Sequence, residues 1–190
     1  MKKVILFSGK AEAGKTMAAN YALNGLMYLG YRAVIIPYAA YVKDTARLLF
    51  GWDGQKNVEG RQLLQWWGTD EVRNRDPDFW VETVQRLVYV SKDIFDYIII
   101  DDCRFPNEID SWDETPHISV RIERPGHINH LTSEQKNHIS ETALDDYKFD
   151  VTISAGSSLE LCSEVFHSLL PEVLDERTTR DAYGRLEEKC

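Results

Sequence analysis

The chain has 190 residues, 43% of them hydrophobic and 28% charged, with a net charge of −9. That describes one soluble globular domain able to bury a core without staples, and the acidic balance argues against tracking a nucleic-acid backbone. The dispersed Cys103, Cys162 and Cys190 form no CxxC pair, and no run approaches the roughly 20 apolar residues of a membrane span, so a cytoplasmic location is expected.

Residues 4–7 are an apolar run ending in Ser8-Gly9, the pattern of a central parallel strand. Ala18, Ala19, Ala22, Leu23, Leu26 and Leu29 recur at helical spacing over 15–29, and Gly30 supplies a C-cap. A strand is predicted over 33–37 and a helix over 38–50, stopped by the polar, glycine-bearing stretch 51–60. Helices follow over 60–73 and from Asp76-Pro77 to residue 90, with proline in the first turn. Tyr97-Ile98-Ile99-Ile100 is the most strand-like segment and runs into Asp101-Asp102. A short helix over 106–112, strands over 117–122 and 151–154, and a helix over 159–170 complete the pattern. Alternating strands and helices imply a parallel sheet covered on both faces. The 17-residue polar segment 124–140 is too long for an ordinary connection and predicts a lid. Its His127, His130 and His138 lack the spacing of metal ligands. The tail 171–190 holds six acids against four bases.

Gly9-Lys10-Ala11-Glu12-Ala13-Gly14-Lys15-Thr16 fits GxxxxGK[ST] completely, between a strand and a helix. The backbone N–H groups of such a loop and its helix N-terminus cradle phosphates. Gly9 and Gly14 permit the tight turn, with Ala11, Glu12, Ala13 and Met17 beside them. Lys15 is expected to reach the β- and γ-phosphates of ATP, and the Thr16 hydroxyl to bind Mg²⁺. Asp101 and Asp102 stand where a strand-end acid holds the metal shell. The sequence leaves open which of the two faces it.

Three further segments resemble the deoxynucleoside monophosphate kinases of bacteriophages and their bacterial relatives. They are Arg61-Gln62-Leu63-Leu64-Gln65-Trp66-Trp67-Gly68-Thr69-Asp70 continuing through Arg73 to Asp76-Pro77-Asp78-Phe79-Trp80, then Asp102-Cys103-Arg104-Phe105-Pro106-Asn107-Glu108, and Ser140-Glu141-Thr142-Ala143-Leu144-Asp145. With the P-loop they span residues 3–170. The resemblance implies a P-loop NTPase three-layer α/β sandwich, a five-stranded parallel sheet flanked by helices, like nucleoside monophosphate kinases with a short lid. It divides the chain into a kinase domain over 1–170, with an acceptor-binding region over 38–92 and a lid over 124–140, and a tail over 171–190. The implied reaction carries a phosphoryl group from ATP, with Mg²⁺, to a (deoxy)nucleoside monophosphate, in a bacterial or phage-infected cell.

A monophosphate needs a guanidinium for its phosphate and an amide or aromatic surface for its base. Arg61, Arg73 and Arg104 are the guanidinium candidates, and Gln65, Trp66, Phe79 and Trp80 the candidates for the base pocket. Arg121 and Arg124, at the start of the lid, are candidates for neutralising the transferring phosphoryl together with Lys15 and Arg104. Gly156 is a candidate for the donor adenine, with a plain N-cap by Ser157 or Ser158 as the alternative. A homodimer is compatible with the sequence. Competing readings are a P-loop kinase for another phosphorylated acceptor, of the dephospho-coenzyme A or phosphomevalonate type, and a nucleotide switch. The chain has no NKxD run for reading guanine.

Overall fold

The computed structural model describes residue 1 and residues 3–174. β1 (Lys3–Ser8) runs through the centre of the sheet, and Val4, Ile5, Leu6 and Phe7 are all fully buried. Ile5 and Phe7 join the core on one face, Val4 and Leu6 the core on the other. A strand covered on both sides reads as a continuous apolar run, which is how the sequence presents it.

β1 leads into α1 (Lys15–Tyr28), then β2 (Ala33–Ile35), α2 (Ala39–Phe50) and α3 (Val58–Gln65). α4 (Phe79–Ser91), β3 (Tyr97–Cys103), α5 (Asn107–Asp110) and β4 (His117–Glu123) follow. The chain continues through α6 (Ser133–Asn137), α7 (Ile139–Thr142), β5 (Val151–Ser154), α8 (Ser158–Glu164) and α9 (Leu170–Val173). The strand order is β2-β3-β1-β4-β5 with every pairing parallel. This is the expected five-stranded sheet between helical layers. α1, α8 and α9 cover one face, where Ala18, Ala22, Leu26, Leu161 and Leu170 meet Ile99, Val120 and Ile153. On the other face, Val81, Val84 and Val88 of α4, with Tyr38, Ile109 and Trp112, meet Ile98 and Ile100. β3 lies directly against β1, with Ser8 opposite Cys103. The loop after β1 and the acids ending β3 are thereby neighbours, at the edge where open parallel sheets bind ligands.

Several local features differ from the sequence expectation, among them α4, which starts at Phe79 after an Asp78 N-cap and so leaves Pro77 outside its first turn. β2 ends at Ile35 rather than 37. The predicted helix over 60–73 starts at Val58 and from Trp66 to Arg73 winds in the wider turns of a π-helix. There the Trp80 indole N–H donates to the Gly68 carbonyl at 2.9 Å, giving that oxygen a partner outside the helix. The predicted lid holds the short helix α6 and the start of α7. α6 is fixed by a capping box in which the Thr132 hydroxyl accepts from the Gln135 N–H and the Gln135 side chain accepts from Thr132. The last helix does not stop before Pro171, because a π-helical stretch over Val165–Leu169 opens the turn into which the proline ring fits. Val173 and Leu174 are buried, so packing extends beyond residue 170. Of the expected tail, 175–190 lie outside the described residues. No helix among the described residues is long and apolar enough to cross a membrane.

Candidate active site

The loop between β1 and α1 is shaped by backbone conformations that side chains resist. Gly9 has φ 152°, and a Cβ there would sit 2.4 Å from the Ile122 carbonyl oxygen. Glu12 holds φ 64°, an unusual value for a residue with a side chain. Gly9→Ala is expected to cost at least about 3 kcal/mol, from strain plus a backbone clash that cannot relax by rotamer change. Gly30→Ala, at φ 87° with open space around it, is the control and should cost only about 1–2 kcal/mol. Denaturant midpoints of the two variants measure the difference.

Lys15, the first residue of α1, is only 9% exposed and donates from Nζ to the Gly9 and Lys10 carbonyls, both at 2.8 Å. Burial, then the nearby Arg104 charge, push its pKa down to about 7. The Thr16 hydroxyl donates to Asp101 Oδ2 at 2.7 Å, and Asp101 is buried. Asp102 points the other way. Its two oxygens accept from the Tyr38 and Ala39 N–H groups at 2.9 and 2.8 Å, where α2 begins. Burial, then the charge of Asp101, raise the Asp102 pKa. The two acids, equivalent in sequence, therefore have different work. Asp101 meets the P-loop, and Asp102 anchors α2.

A cavity of about 940 Å³ opens from the P-loop across to α2, α3 and the π-helical stretch. It is lined by Ala11, Glu12, Gly14, Lys15, Thr16 and Met17, by Asp101, Asp102 and Arg104, and by Arg61, Gln65, Gly68, Thr69, Arg73 and Trp80. Arg61 and Gln65, one helical turn apart, thus line the same cavity, and Arg73 at the end of the π-helical stretch lines it too. Seven basic side chains (Lys15, Lys43, Lys56, Arg61, Arg73, Arg104 and Arg124) stand against five acids in this lining, although the whole chain is acidic. A local positive basin of this kind draws anions.

The arginines are held to different degrees. Arg73 pairs with the buried Glu108 and lies 4.2 Å over the Phe105 ring. Arg104 Nη1 donates to Glu141 Oε1 at 2.6 Å, and the other Glu141 oxygen accepts from the Ala11 N–H of the P-loop at 3.0 Å. Arg61 donates to the Lys56 carbonyl and stands 3.8 Å from Glu12. The Arg124 side chain has no partner among the described residues and lines this cavity and a smaller one of about 470 Å³ on the outer side of the P-loop. Arg121 lines only the smaller one, 3.7 Å from Asp145, which also pairs with Lys10.

Trp66, Phe79 and Gly156, like Arg121, do not fall on the larger cavity. Trp66 turns outward and packs edge-on against Phe50 at 5.4 Å, one residue past Gln65 and so about 100° round the helix from it. Phe79 is half exposed and meets the edge of Trp80 instead of the interior. Gly156 lines neither cavity. Its N–H is taken by Glu160 at 2.7 Å, and Ser157 caps α8. Trp80 is a wall residue, fully buried.

Sequence reading missed Lys43, Lys56, Glu108 and Glu141. Ala39, Val42 and Lys43 share a face of α2 at i, i+3, i+4, a pattern that could have found Lys43. Burial, then the charges of Lys43 and Arg61, lower the Lys56 pKa, a measure of how densely cations crowd here. Burial pushes the Glu108 carboxyl up to about 7 against the opposing pull of Arg73. The segment 124–140 meets the P-loop at Glu12, whose carboxylate lies 2.9 Å from His130 Nδ1 and 3.5 Å from His127 Nε2. His138 reaches Asp70 at 3.6 Å on the opposite side.

The sequence matches the model of the family described as deoxynucleotide monophosphate kinase over residues 49–165, more than half of the chain. No curated protein matches it. Among solved structures, TT1252 from Thermus thermophilus is similar with a TM-score of 0.55 at 14% identity, over 92% of this chain and 99% of that one. A sugar kinase from Janibacter sp. gives 0.49 at 14% identity, over 93% of this chain and 99% of its own. The APS kinase CysC of Mycobacterium tuberculosis in complex with AMPPNP and APS gives 0.45 at 15%, over 86% and 95%. The phosphate loop opening onto a second, cation-rich space is the arrangement of a P-loop kinase, and the chain is an ATP-dependent one. It belongs to the deoxynucleotide monophosphate kinase family, whose match takes in the π-helical stretch, Asp101 to Glu108 and residues 124–140.

Proposed function

We propose that the enzyme transfers the γ-phosphoryl group of ATP to the phosphate of a deoxynucleoside monophosphate, giving ADP and the deoxynucleoside diphosphate. The observation that carries this reading is continuity. A single cavity reaches from Lys15 and Thr16 to Arg61, Gln65, Arg73 and Arg104, so groups suited to a donor and to an acceptor phosphate face one space. The bond formed joins an acceptor phosphate oxygen to the γ-phosphorus, and the bond broken is the one to the β–γ bridging oxygen, which leaves with ADP.

The acceptor phosphate is already ionised at neutral pH, so no strong general base is needed. The work is positioning and charge neutralisation. The P-loop N–H groups and Lys15 hold the donor phosphates. Arg73 and Arg104 orient the acceptor phosphate, with Arg124 reaching in from the start of the lid. Gln65 offers an amide to the base against a wall of Val42, Leu64 and Trp80. Mg²⁺ suits the Thr16 hydroxyl and Asp101, hard oxygen donors 2.7 Å apart with the carboxylate buried, and would there shield the charge of the donor phosphates.

The test is ADP release from Mg-ATP with each common deoxynucleoside and ribonucleoside monophosphate in turn, with Lys15→Ala as the blank. Stimulation by one or more deoxynucleoside monophosphates is the expected result. If no monophosphate raises the rate above the acceptor-free background, the nucleotide-acceptor reading fails.

A further inference from the structure

Two of the cavity's arginines come from distant parts of the chain, Arg73 from the π-helical stretch and Arg104 from the turn after β3. One side chain joins them. Glu108, on the short helix α5, is 2% exposed. One of its carboxylate oxygens pairs with the Arg73 guanidinium. The other accepts from the backbone N–H groups of Arg104 and of Phe105, the latter at 3.1 Å. Phe105 in turn carries the Arg73 guanidinium on its ring at 4.2 Å. The far side of α5 is fixed too, since the Tyr38 hydroxyl donates to the Glu108 carbonyl at 2.8 Å and the Trp112 indole donates to that hydroxyl at 2.9 Å.

A carboxylate this buried is costly unless it is paired and hydrogen-bonded, and here three donors meet it. We propose that Glu108 is a positioning residue, fixing the Arg73 guanidinium and the backbone that projects Arg104 so that both face the same acceptor phosphate. The inference rests on the acceptor reading of the cavity. Glu108 touches no reacting atom in it and acts through the two arginines. Its contacts belong to the acceptor side, since none of them reaches the P-loop, so disturbance should fall on the acceptor and spare ATP.

Glu108→Gln keeps the shape and loses the charge, while Glu108→Asp keeps the charge on a shorter arm. With the acceptor that wild type uses best, Glu108→Gln is expected to raise the acceptor KM about tenfold or more, with the KM for ATP within twofold and Glu108→Asp in between. Equal rises in both KM values would mean general loosening and overturn the proposal, as would unchanged kinetics. Where Glu108→Gln folds poorly, the double variant Arg73→Gln/Glu108→Gln removes the buried pair as a unit and leaves neither charge stranded. Because Glu108 also holds the Arg104 backbone, the double variant should exceed Arg73→Gln in acceptor KM by clearly less than the roughly tenfold expected of Glu108→Gln, whereas a full further tenfold rise sinks the idea.

A readout without substrate separates this proposal from the acceptor reading. Nitrogen relaxation of the Arg73 side-chain Nε–H group should report a rigid side chain in wild type and a mobile one in Glu108→Gln. If that change occurs while no monophosphate stimulates wild type, the acceptor reading has failed and the positioning role stands. If Arg73 stays equally rigid in the variant, the positioning role has failed by itself.

Discussion

Lys15→Met is expected to yield a folded protein whose phosphoryl transfer is reduced by at least about 10²–10³-fold, the scale for losing one preorganised charge partner of a transition state. The ammonium sits among Gly9 and Lys10 carbonyls at 2.8 Å, and burial has lowered its pKa to about 7. Its charge therefore opposes folding and is useful only toward a phosphate. Between about pH 7 and the ordinary 10.5, the unfolded chain binds a proton at Lys15 that the folded chain has lost. Stability from this group accordingly rises with pH across that window, and below it the protonated group carries the whole penalty. Lys15→Met should match or exceed wild type in thermal stability at pH 6, and the alkaline rise should vanish from its stability profile. Nucleotide binding should reverse the shift, because phosphate charge favours the ammonium. Wild type is thus expected to take up protons on binding ATP at pH 8, read as a dependence of binding enthalpy on the buffer's ionisation enthalpy, and the variant to take up fewer. Turnover within tenfold of wild type in Lys15→Met would remove the lysine from the mechanism.

The P-loop was legible because its chemistry is contiguous. Eight residues between an apolar run and a helix state the whole motif, and in the structure Lys15 and Thr16 open α1 with the Thr16 hydroxyl on Asp101. The split between Asp101 and Asp102 was legible in principle through the pleat. Successive strand residues face opposite ways, Ile99 packs on the α1 side and Ile100 on the α4 side, so Asp101 follows Ile99 toward the P-loop. Two of the three aromatic candidates miss the cavity for a different reason. Trp80 lines the cavity wall, whereas Trp66 follows Gln65 directly, about 100° round the helix from it, and Phe79 stands half exposed at the start of α4. Glu108 and Glu141 escaped because a carboxylate in a cavity meant for phosphates looks misplaced until its partners are known. Each makes sense only with an arginine brought from 35 or 37 residues away.

The second large effect is expected at Arg104. Arg104→Ala should lower kcat by about 10²–10³-fold, with the KM for ATP little changed, because the guanidinium faces the cavity beside Lys15 and the P-loop makes its own donor contacts. Arg104→Lys keeps the charge and loses the planar fork that matches two phosphate oxygens, so it should fall between the two. The variant carries an internal check on geometry. Arg104 is the charge that most lowers the Lys15 pKa, so removing it should move that pKa upward and shift to higher pH the stability rise that this group produces. The same change leaves Glu141, 8% exposed in its side chain, facing the Ala11 N–H without its cation. Glu141→Gln placed on Arg104→Ala should then recover part of the stability lost, since an unpaired buried charge costs more than an amide. Steady-state kinetics at saturating acceptor, with thermal unfolding over the pH range, measure both halves. A kcat for Arg104→Ala within threefold of wild type would pass the neutralising role to Arg73 and Arg124. An unmoved Lys15 transition would show that the two cations do not sense each other across the cavity.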